Sequence, residues 1–312
     1  MNQPNLTLTS PSDGLLLRGY EWLTASAPRG LVLIAHGMAE HAGRYARFAA
    51  ALNQAGFAVY AFDHRGHGHS APSAAGLGHF ADRDGWNRAV ADLAAAGELA
   101  RQRHPGLPLL LFGHSMGSFM AQQFLYEFGN RLAGCVLCAS NGKPPPIAAL
   151  GRLIARLERL RLGGRGISMF IHNMSFGAFN KRFEPARTPF DWLSRDPAEV
   201  DKYVADSFCG FPIDVQAWVD FLDGLDAMAK PANQARIPKA LPVFVIAGTH
   251  DPVSGGGKGL RQLLDAYAAA GLSRVESRFY ENARHELLNE TNRDAVTADI
   301  VAFFERCLSA VR

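Results

Sequence analysis

The segment Gly113-His114-Ser115-Met116-Gly117 places a serine at the junction of two different kinds of structure. The apolar run 107–112 before it predicts a buried strand, and the run 116–128 after it predicts a helix. A serine on so sharp a strand-to-helix turn is typical of a nucleophile elbow. Glycine is expected two residues to either side of the serine, since a Cβ atom there would collide with neighbouring backbone. Unrelated chains also contain this pentapeptide, so the context of the turn carries the argument.

Short apolar runs alternate with helix-like runs over much of the chain, a pattern typical of parallel strands joined by helices. The apolar runs predict strands at 31–35, 57–62, 107–112, 135–139 and 242–247, and the stretch 274–280 continues the strand series. The helix-like runs predict helices at 44–55, 86–103, 116–128, 260–270 and 292–308. Residues 5–9 and 14–22 flank a turn-forming segment and predict an antiparallel hairpin at one edge of the sheet.

One long segment, 141–240, breaks this alternation because it contains no convincing buried strand. A segment of that length is too long for a loop in a compact domain, so we predict a helical cap inserted into the core. The predicted division is therefore a first part of the core at 1–140, the cap at 141–240, and a second part of the core at 241–312.

The first predicted cap helix is amphipathic. Its apolar face carries Leu150, Leu153, Ile154, Leu157 and Leu160, and its basic face carries Arg152, Arg156 and Arg159. Two interpretations follow: the basic face rests transiently on an anionic membrane surface, or the helix packs on the core with its basic face in solvent.

The next apolar residues provide surface for a lipid tail or for an ordinary lid core: Met169, Phe170, Ile171, Met174, Phe176 and Phe179.

Two polar residues follow the last predicted strands in the order that an elbow serine requires, first an acid and then a histidine. Asp251 lies just beyond the strand 242–247, and His285 lies in the loop after the final strand. Either residue alone is typical of an ordinary polar loop. Together with the elbow, they predict a catalytic triad of Ser115, His285 and Asp251.

Acyl transfer also needs two backbone N–H groups that stabilise the oxyanion. We expect these donors at Met116, directly after the serine, and at Met38, directly after the strand 31–35 and Gly37. In this hypothesis Ser115 attacks an ester carbonyl, His285 takes the serine proton, and water later releases the acyl group. The mechanism requires no metal and no organic cofactor.

Four segments carry a family resemblance: residues 36–45 (HGMAEHAGRY), 63–70 (DHRGHGHS), 113–117 (GHSMG) and 285–290 (HELLNE). Together they resemble the monoglyceride lipase and lysophospholipase branch of the α/β-hydrolases. The resemblance implies a mostly parallel, eight-stranded sheet flanked by helices, with an inserted helical cap. It also implies a serine hydrolase that cleaves a lipid-like carboxylic ester such as a monoacylglycerol or a lysophospholipid, and it implies the same triad and oxyanion donors.

The resemblance further suggests that Glu40 and Arg44 lie on the alcohol side of the substrate pocket; a helix N-terminal carboxylate with a surface partner is the alternative. The chain departs from the family pattern at two positions. Ser118 replaces the usual second glycine after the elbow, and Leu288 replaces a second histidine of the animal monoglyceride lipases. Recognition of glycerol in the animal manner is therefore in doubt.

Two other functions stay open at this point. A proline-iminopeptidase-like peptidase would need an acidic cap pocket, whereas the run 143–187 is mostly basic. A hydrolase-fold binding protein with slow turnover belongs to a different class.

His64, His67 and His69 beside Asp63 suggest a metal site, but the rest of a metallo-hydrolase signature is missing.

The composition restricts partners and location. A net charge of +3 with dispersed basic residues argues against a nucleic-acid partner. The first residues lack the basic and apolar regions of a signal peptide, so we expect a cytoplasmic protein, peripheral to the membrane at most. No obligate protein partner is expected.

Overall fold

The computed structural model describes residues 3–144 and 147–309. Residues 1, 2, 145, 146 and 310–312 belong to the predicted segments but lie outside the described part. The described residues form one eight-stranded sheet. Its strands are β1 (Leu6–Thr9), β2 (Leu16–Trp22), β3 (Gly30–Ala35), β4 (Phe57–Phe62), β5 (Leu109–His114), β6 (Gly134–Cys138), β7 (Val243–Gly248) and β8 (Val275–Tyr280).

The strand order in the sheet is β1-β2-β4-β3-β5-β6-β7-β8. The predicted hairpin at the edge is confirmed, since β1 pairs antiparallel with β2, which pairs antiparallel with β4. From β4 to β8 the neighbouring strands are parallel. The carboxyl ends of these parallel strands meet at one edge of the sheet, and the loops that leave them can therefore share a site.

Ten α-helices accompany the sheet in the described part of the chain. They are α1 (Ala46–Gln54), α2 (Gly85–Arg103), α3 (Met116–Phe128), α4 (Ile147–Leu162), α5 (Met169–Asn180), α6 (Pro197–Ala205), α7 (Val215–Met228), α8 (Pro231–Gln234), α9 (Lys258–Ala269) and α10 (Arg293–Ser309). Side chains alternate along each strand, so Leu31 and Leu33 pack in one apolar layer with α2, α3 and α9. Val32 and Ile34 pack in the other layer with α1 and α10. Helices thus cover both faces, as the predicted α/β fold requires.

Helices α4 to α8 lie between β6 and β7, within the segment for which the sequence predicts a cap. The described residues of this segment contain no strand. Trp218 and Phe221 of α7 pack into the same apolar layer as α2 and α3, so the inserted segment rests on the core. The boundaries at 140 and 240 stay predictions.

Helix α4 is oriented differently from either interpretation of its sequence. The arginine side faces α7: Arg152 pairs with Asp223 at 3.1 Å and with Asp226 at 2.9 Å, and Arg156 pairs with Asp223 at 3.1 Å. Four leucines of the opposite side, here called the leucine stripe, are instead 50% to 81% exposed: Leu150, Leu153, Leu157 and Leu160. The basic face is therefore only partly solvated: Arg156 and Arg159 stay exposed, while Arg152 and Arg156 pair with acidic side chains of α7.

Candidate active site

The turn between β5 and α3 holds Ser115 in a strained backbone conformation, with φ 49° and ψ −120°. A Cβ atom on Gly113 would lie 2.5 Å from the carbonyl oxygen of Gly117. A Cβ atom on Gly117 would overlap the carbonyl oxygen of Ala35. Only glycine fits at either position, as expected for the elbow.

The loops that follow β7 and β8 lie directly against each other. The N–H of His250 donates to the carbonyl oxygen of Ala283 at 3.0 Å, and the N–H of Thr249 donates to that of Tyr280 at 3.0 Å. A Cβ atom on Gly248 would overlap the carbonyl oxygen of Ala283. This close approach brings together two loops that lie more than 30 residues apart in the sequence.

As a result, three residues predicted from far-apart motifs are hydrogen-bonded in series. The distance from His285 Nε2 to Ser115 Oγ is 2.9 Å. On the other side of the ring, His285 Nδ1 lies 2.9 Å from Asp251 Oδ1. Asp251 is fully buried, and its Oδ1 also accepts a hydrogen bond from the N–H of Val253 at 2.9 Å. Chemically, this arrangement can take a proton from the serine and stabilise the charge that then forms on the imidazole.

Two further rings flank the imidazole of His285. The ring centre of His114 lies 4.9 Å from that of His285, and the ring centre of Trp192 lies 4.9 Å away as well. Burial and the proximity of His285 lower the pKa of His114 to about 4, so His114 is neutral near pH 7. Trp192 belongs to the inserted segment and was not singled out from the sequence, because no local pattern shows that it packs against His285.

The residues expected to supply the oxyanion donors lie beside the serine. Met116 is the first residue of α3, where a backbone N–H has no acceptor within the helix. Met38 follows Gly37 in the loop after β3, residues 36–41, here called the oxyanion loop. A Cβ atom on Gly37 would lie 3.3 Å from the Cβ of Ser115, so this loop and the elbow are in contact.

The two residues expected on the alcohol side lie next to the triad but differ in accessibility to substrate. The Glu40 side chain lines the cleft in front of Ser115, whereas Arg44 borders a smaller polar cavity beside it. Glu286, which follows His285, lines both cavities and binds Arg44. No local pattern links Glu286 to Arg44, since the two residues lie 242 positions apart in the sequence.

Ser118, the departure from the family pattern, is fully buried in the first turn of α3. Its hydroxyl donates to the carbonyl oxygen of Ser115 at 2.6 Å. The extra hydroxyl is therefore accommodated by a bond to the elbow itself.

The cleft in front of Ser115 encloses about 650 Å³, counted to its open mouth. Phe176 and Phe179 line it, whereas Met169, Phe170 and Met174 of the predicted lipid-tail surface are exposed and Ile171 is buried in the core. Most of the other lining residues are apolar: Met38, Met116, Phe119, Trp192, Leu193, Trp218, Phe221 and Val253. The cleft suits an apolar ligand with few polar atoms.

Candidate metal ligands lie outside this cleft. His41, Asp206 and Cys209 offer atoms within 4.8 Å of one another, but His41 Nε2 already bonds to Asp206 at 2.9 Å and links the oxyanion loop to the cap. His64 and His67 are buried, and burial lowers their pKa to about 3 and about 4. Both therefore serve as neutral packing and hydrogen-bonding groups at neutral pH.

The chain matches known hydrolases over most of its length. A family model described as serine aminopeptidase, S33, matches residues 26–292. The monoacylglycerol lipase of Mycolicibacterium smegmatis is 30% identical over 294 residues, which cover 90% of each chain. The monoglyceride lipase of Homo sapiens is 27% identical over 89% of this chain and 82% of its own.

A solved structure supports the same relationship. The thermostable carboxyl esterase of Bacillus coagulans, solved in complex with glycerol, superposes with a TM-score of 0.91 at 28% identity, covering 99% of both chains. These matches confirm the fold and the family that the four sequence segments suggested. The chain therefore belongs to the serine aminopeptidase S33 family of α/β-hydrolases and is a carboxylic ester hydrolase of the monoglyceride lipase type.

Proposed function

We propose that this hydrolase cleaves monoacylglycerols or closely similar monoacyl lipid esters through an acyl-enzyme on Ser115. In the first step Oγ attacks the ester carbonyl, His285 takes the serine proton and passes it to the leaving alcohol, and Asp251 orients the imidazole. Water then enters by the same route and releases the fatty acid. The observation that carries the proposal is the series of 2.9 Å hydrogen bonds from serine to histidine to aspartate.

The backbone N–H groups of Met38 and Met116 are the proposed donors to the oxyanion. Contact between the oxyanion loop and the elbow supports this assignment, because both donors must face the same carbonyl oxygen. Removal of one such donor typically costs about 3 kcal/mol of transition-state stabilisation.

The aromatic wall of the cleft supports a fatty acyl chain as the acyl group. Phe176 and Phe179 from α5 and Trp218 from α7 border the space in front of Ser115. Burial of a chain methylene against such a wall contributes about 0.8 kcal/mol. We therefore expect turnover to rise with acyl length until the cleft is filled.

Glu40 and Arg44 are proposed to lie on the alcohol side of the site, with Glu40 lining the cleft and Arg44 behind it. The Bacillus coagulans esterase was solved with glycerol, which supports an alcohol of that kind here. A peptidase would need a free carboxylate for the substrate ammonium, but Glu40 and Glu286 at the cleft both bind Arg44. This pairing favours an uncharged alcohol over an amino terminus.

We also propose that the cap contacts a lipid surface through the leucine stripe. Exposed Met169, Phe170 and Met174 on α5 add apolar surface, and α5 continues to Phe176 and Phe179 at the cleft. An apolar surface that leads to a lipid-binding cleft favours a membrane or micelle as its occupant.

No helix among the described residues is both long and apolar enough to cross a bilayer. A cytoplasmic location and the lack of an obligate protein partner stay predictions.

The test combines active-site labelling with a substrate series. A fluorophosphonate probe should label Ser115, and Ser115→Ala and His285→Ala should abolish labelling and ester turnover while the proteins stay folded. Monoacylglycerols should be cleaved faster than lysophospholipids and aminoacyl amides. A probe adduct on another residue would contradict the assigned nucleophile, and preferential cleavage of aminoacyl amides would establish a peptidase. Labelling without turnover would indicate a binding protein.

A further inference from the structure

The residue after the proposed catalytic histidine forms a two-point ion pair. Arg44 Nη1 donates to Glu286 Oε1 at 2.7 Å, and Arg44 Nη2 donates to Glu286 Oε2 at 2.8 Å. Two parallel bonds of this kind fix both the distance and the orientation of the two groups. The histidine loop, defined here as residues 284–290, is thereby tied to Arg44.

The same guanidinium also binds the carboxylate that holds the oxyanion loop. Arg44 Nη1 donates to Glu40 Oε2 at 2.6 Å. The other oxygen, Glu40 Oε1, accepts bonds from the N–H of Gly37 at 2.5 Å and from the hydroxyl of Tyr45 at 2.8 Å. Gly37 directly precedes Met38, so Glu40 fixes the peptide next to a proposed oxyanion donor.

The cluster is buried, and the Arg44 guanidinium keeps Glu286 ionised within it. Glu40 and Glu286 are both buried, and the Arg44 guanidinium lies 4.9 Å from the ring centre of Tyr203, which covers its face. Burial disfavours the ionised form of Glu286, but attraction to Arg44 outweighs burial and lowers the pKa of Glu286 to about 2. Loss of Arg44 would leave two buried carboxylates without their shared cation.

We propose that Arg44 is a positioning residue that couples the oxyanion loop to the histidine loop through Glu40 and Glu286. A single guanidinium then sets the distance between the donor at Met38 and the imidazole of His285. This inference rests on the proposed function, because it assumes that those two loops carry the oxyanion donor and the base. It differs from a role in holding the alcohol, which would require free N–H groups of Arg44 facing the substrate.

The two roles of Arg44 predict different dependence on the leaving group. A misplaced base or donor slows every ester, since displacement by about 1 Å can cost on the order of 100-fold in rate. A lost alcohol contact affects only esters that carry the alcohol. We therefore compare p-nitrophenyl acetate, which has no glycerol, with a monoacylglycerol.

Arg44→Lys keeps the charge but cannot make the two-point bond, and Glu286→Gln keeps the shape but loses the charge. For both variants we expect kcat to fall by about 10- to 100-fold on both esters, with KM nearly unchanged. Arg103→Lys, which disturbs the distant pair with Glu21, is the matched control and should retain full activity. Unchanged kcat on p-nitrophenyl acetate with a raised KM for the monoacylglycerol alone would overturn the coupling role.

Folding and coupling are tested separately. Circular dichroism and thermal unfolding identify variants that stay folded. The double variant Arg44→Lys with Glu286→Gln, compared with the two single variants, measures coupling. If both residues act through one link, the second change adds little to the loss in kcat caused by the first. Fully additive losses would overturn the inference. Failure of the proposed function is distinct, because Ser115→Ala would then retain turnover.

Discussion

The leucine stripe of α4 gives a quantitative prediction about lipid surfaces. Leu153 and Leu157 are 53% and 55% exposed, so about half of each side chain remains available for burial against lipid. Full burial of a leucine side chain contributes about 1.5–3 kcal/mol, and each of these leucines therefore contributes about 1 kcal/mol. Replacing both with serine should weaken vesicle binding by about 2 kcal/mol, or about 30-fold.

The assay is flotation of the protein with neutral phosphatidylcholine vesicles over a range of lipid concentrations. Binding should depend little on salt, because apolar leucines make the proposed contact and Arg152 and Arg156 are already paired with acidic side chains of α7. Leu23→Ser is the matched control, since Leu23 is 53% exposed but lies just beyond β2, outside the cap. Thermal unfolding shows whether the variants remain folded.

A different result would refute the reasoning. If binding required anionic lipid, disappeared in high salt and was equally strong in the double serine variant, the basic residues of the cap would be responsible. The orientation of α4 with its leucines outward would then have no part in membrane contact.

Three further predictions concern the elbow and the buried histidines. Gly117→Ala should destabilise the fold by about 3 kcal/mol and prevent probe labelling, because the new methyl group overlaps the Ala35 carbonyl; normal thermal unfolding would contradict this. Ser118→Gly should lower the free energy of unfolding in urea by about 2 kcal/mol, through loss of helix propensity and of the bond to Ser115. Unfolded His67 binds a proton near pH 6.5 and native His67 only near pH 4, so stability falls as the pH drops through that interval. His67→Gln should therefore reduce the loss of stability between pH 7 and pH 5 by about 2 kcal/mol. If the free energy of unfolding in urea depends on pH in the variant as it does in the original protein, this cause is excluded.

The sheet could be predicted because its signals are local. The central strands β3 to β7 are short, mostly apolar runs, and alternation with helices predicts that they are parallel. Convergence of Ser115, Asp251 and His285 follows from the same topology, since each residue lies just beyond the carboxyl end of a parallel strand. The expected boundaries of β5 differ by two residues, because the run 107–112 did not show that the strand extends to His114.

The orientation of α4 could not be predicted from its own sequence. Periodicity separates an apolar face from a basic face, but it does not show which face meets the core. Asp223 and Asp226, about 70 residues further along, decide the matter by pairing with Arg152. The contact between Arg44 and Glu286 depends in the same way on the completed sheet, and no local pattern reports it.

The inserted segment serves the active centre in two separate ways. Its second half holds the histidine loop: the N–H of Glu286 donates to the carbonyl oxygen of Leu193 at 2.7 Å, and Arg195 pairs with buried Glu290 at 2.8 Å. Its first half, α4 and α5, carries the exposed apolar surface, and Phe176 and Phe179 of α5 share the aromatic wall of the cleft with Trp218 of α7. Because different residues carry these two tasks, changes in the leucine stripe can alter access to lipid while the bonds that hold His285 remain in place.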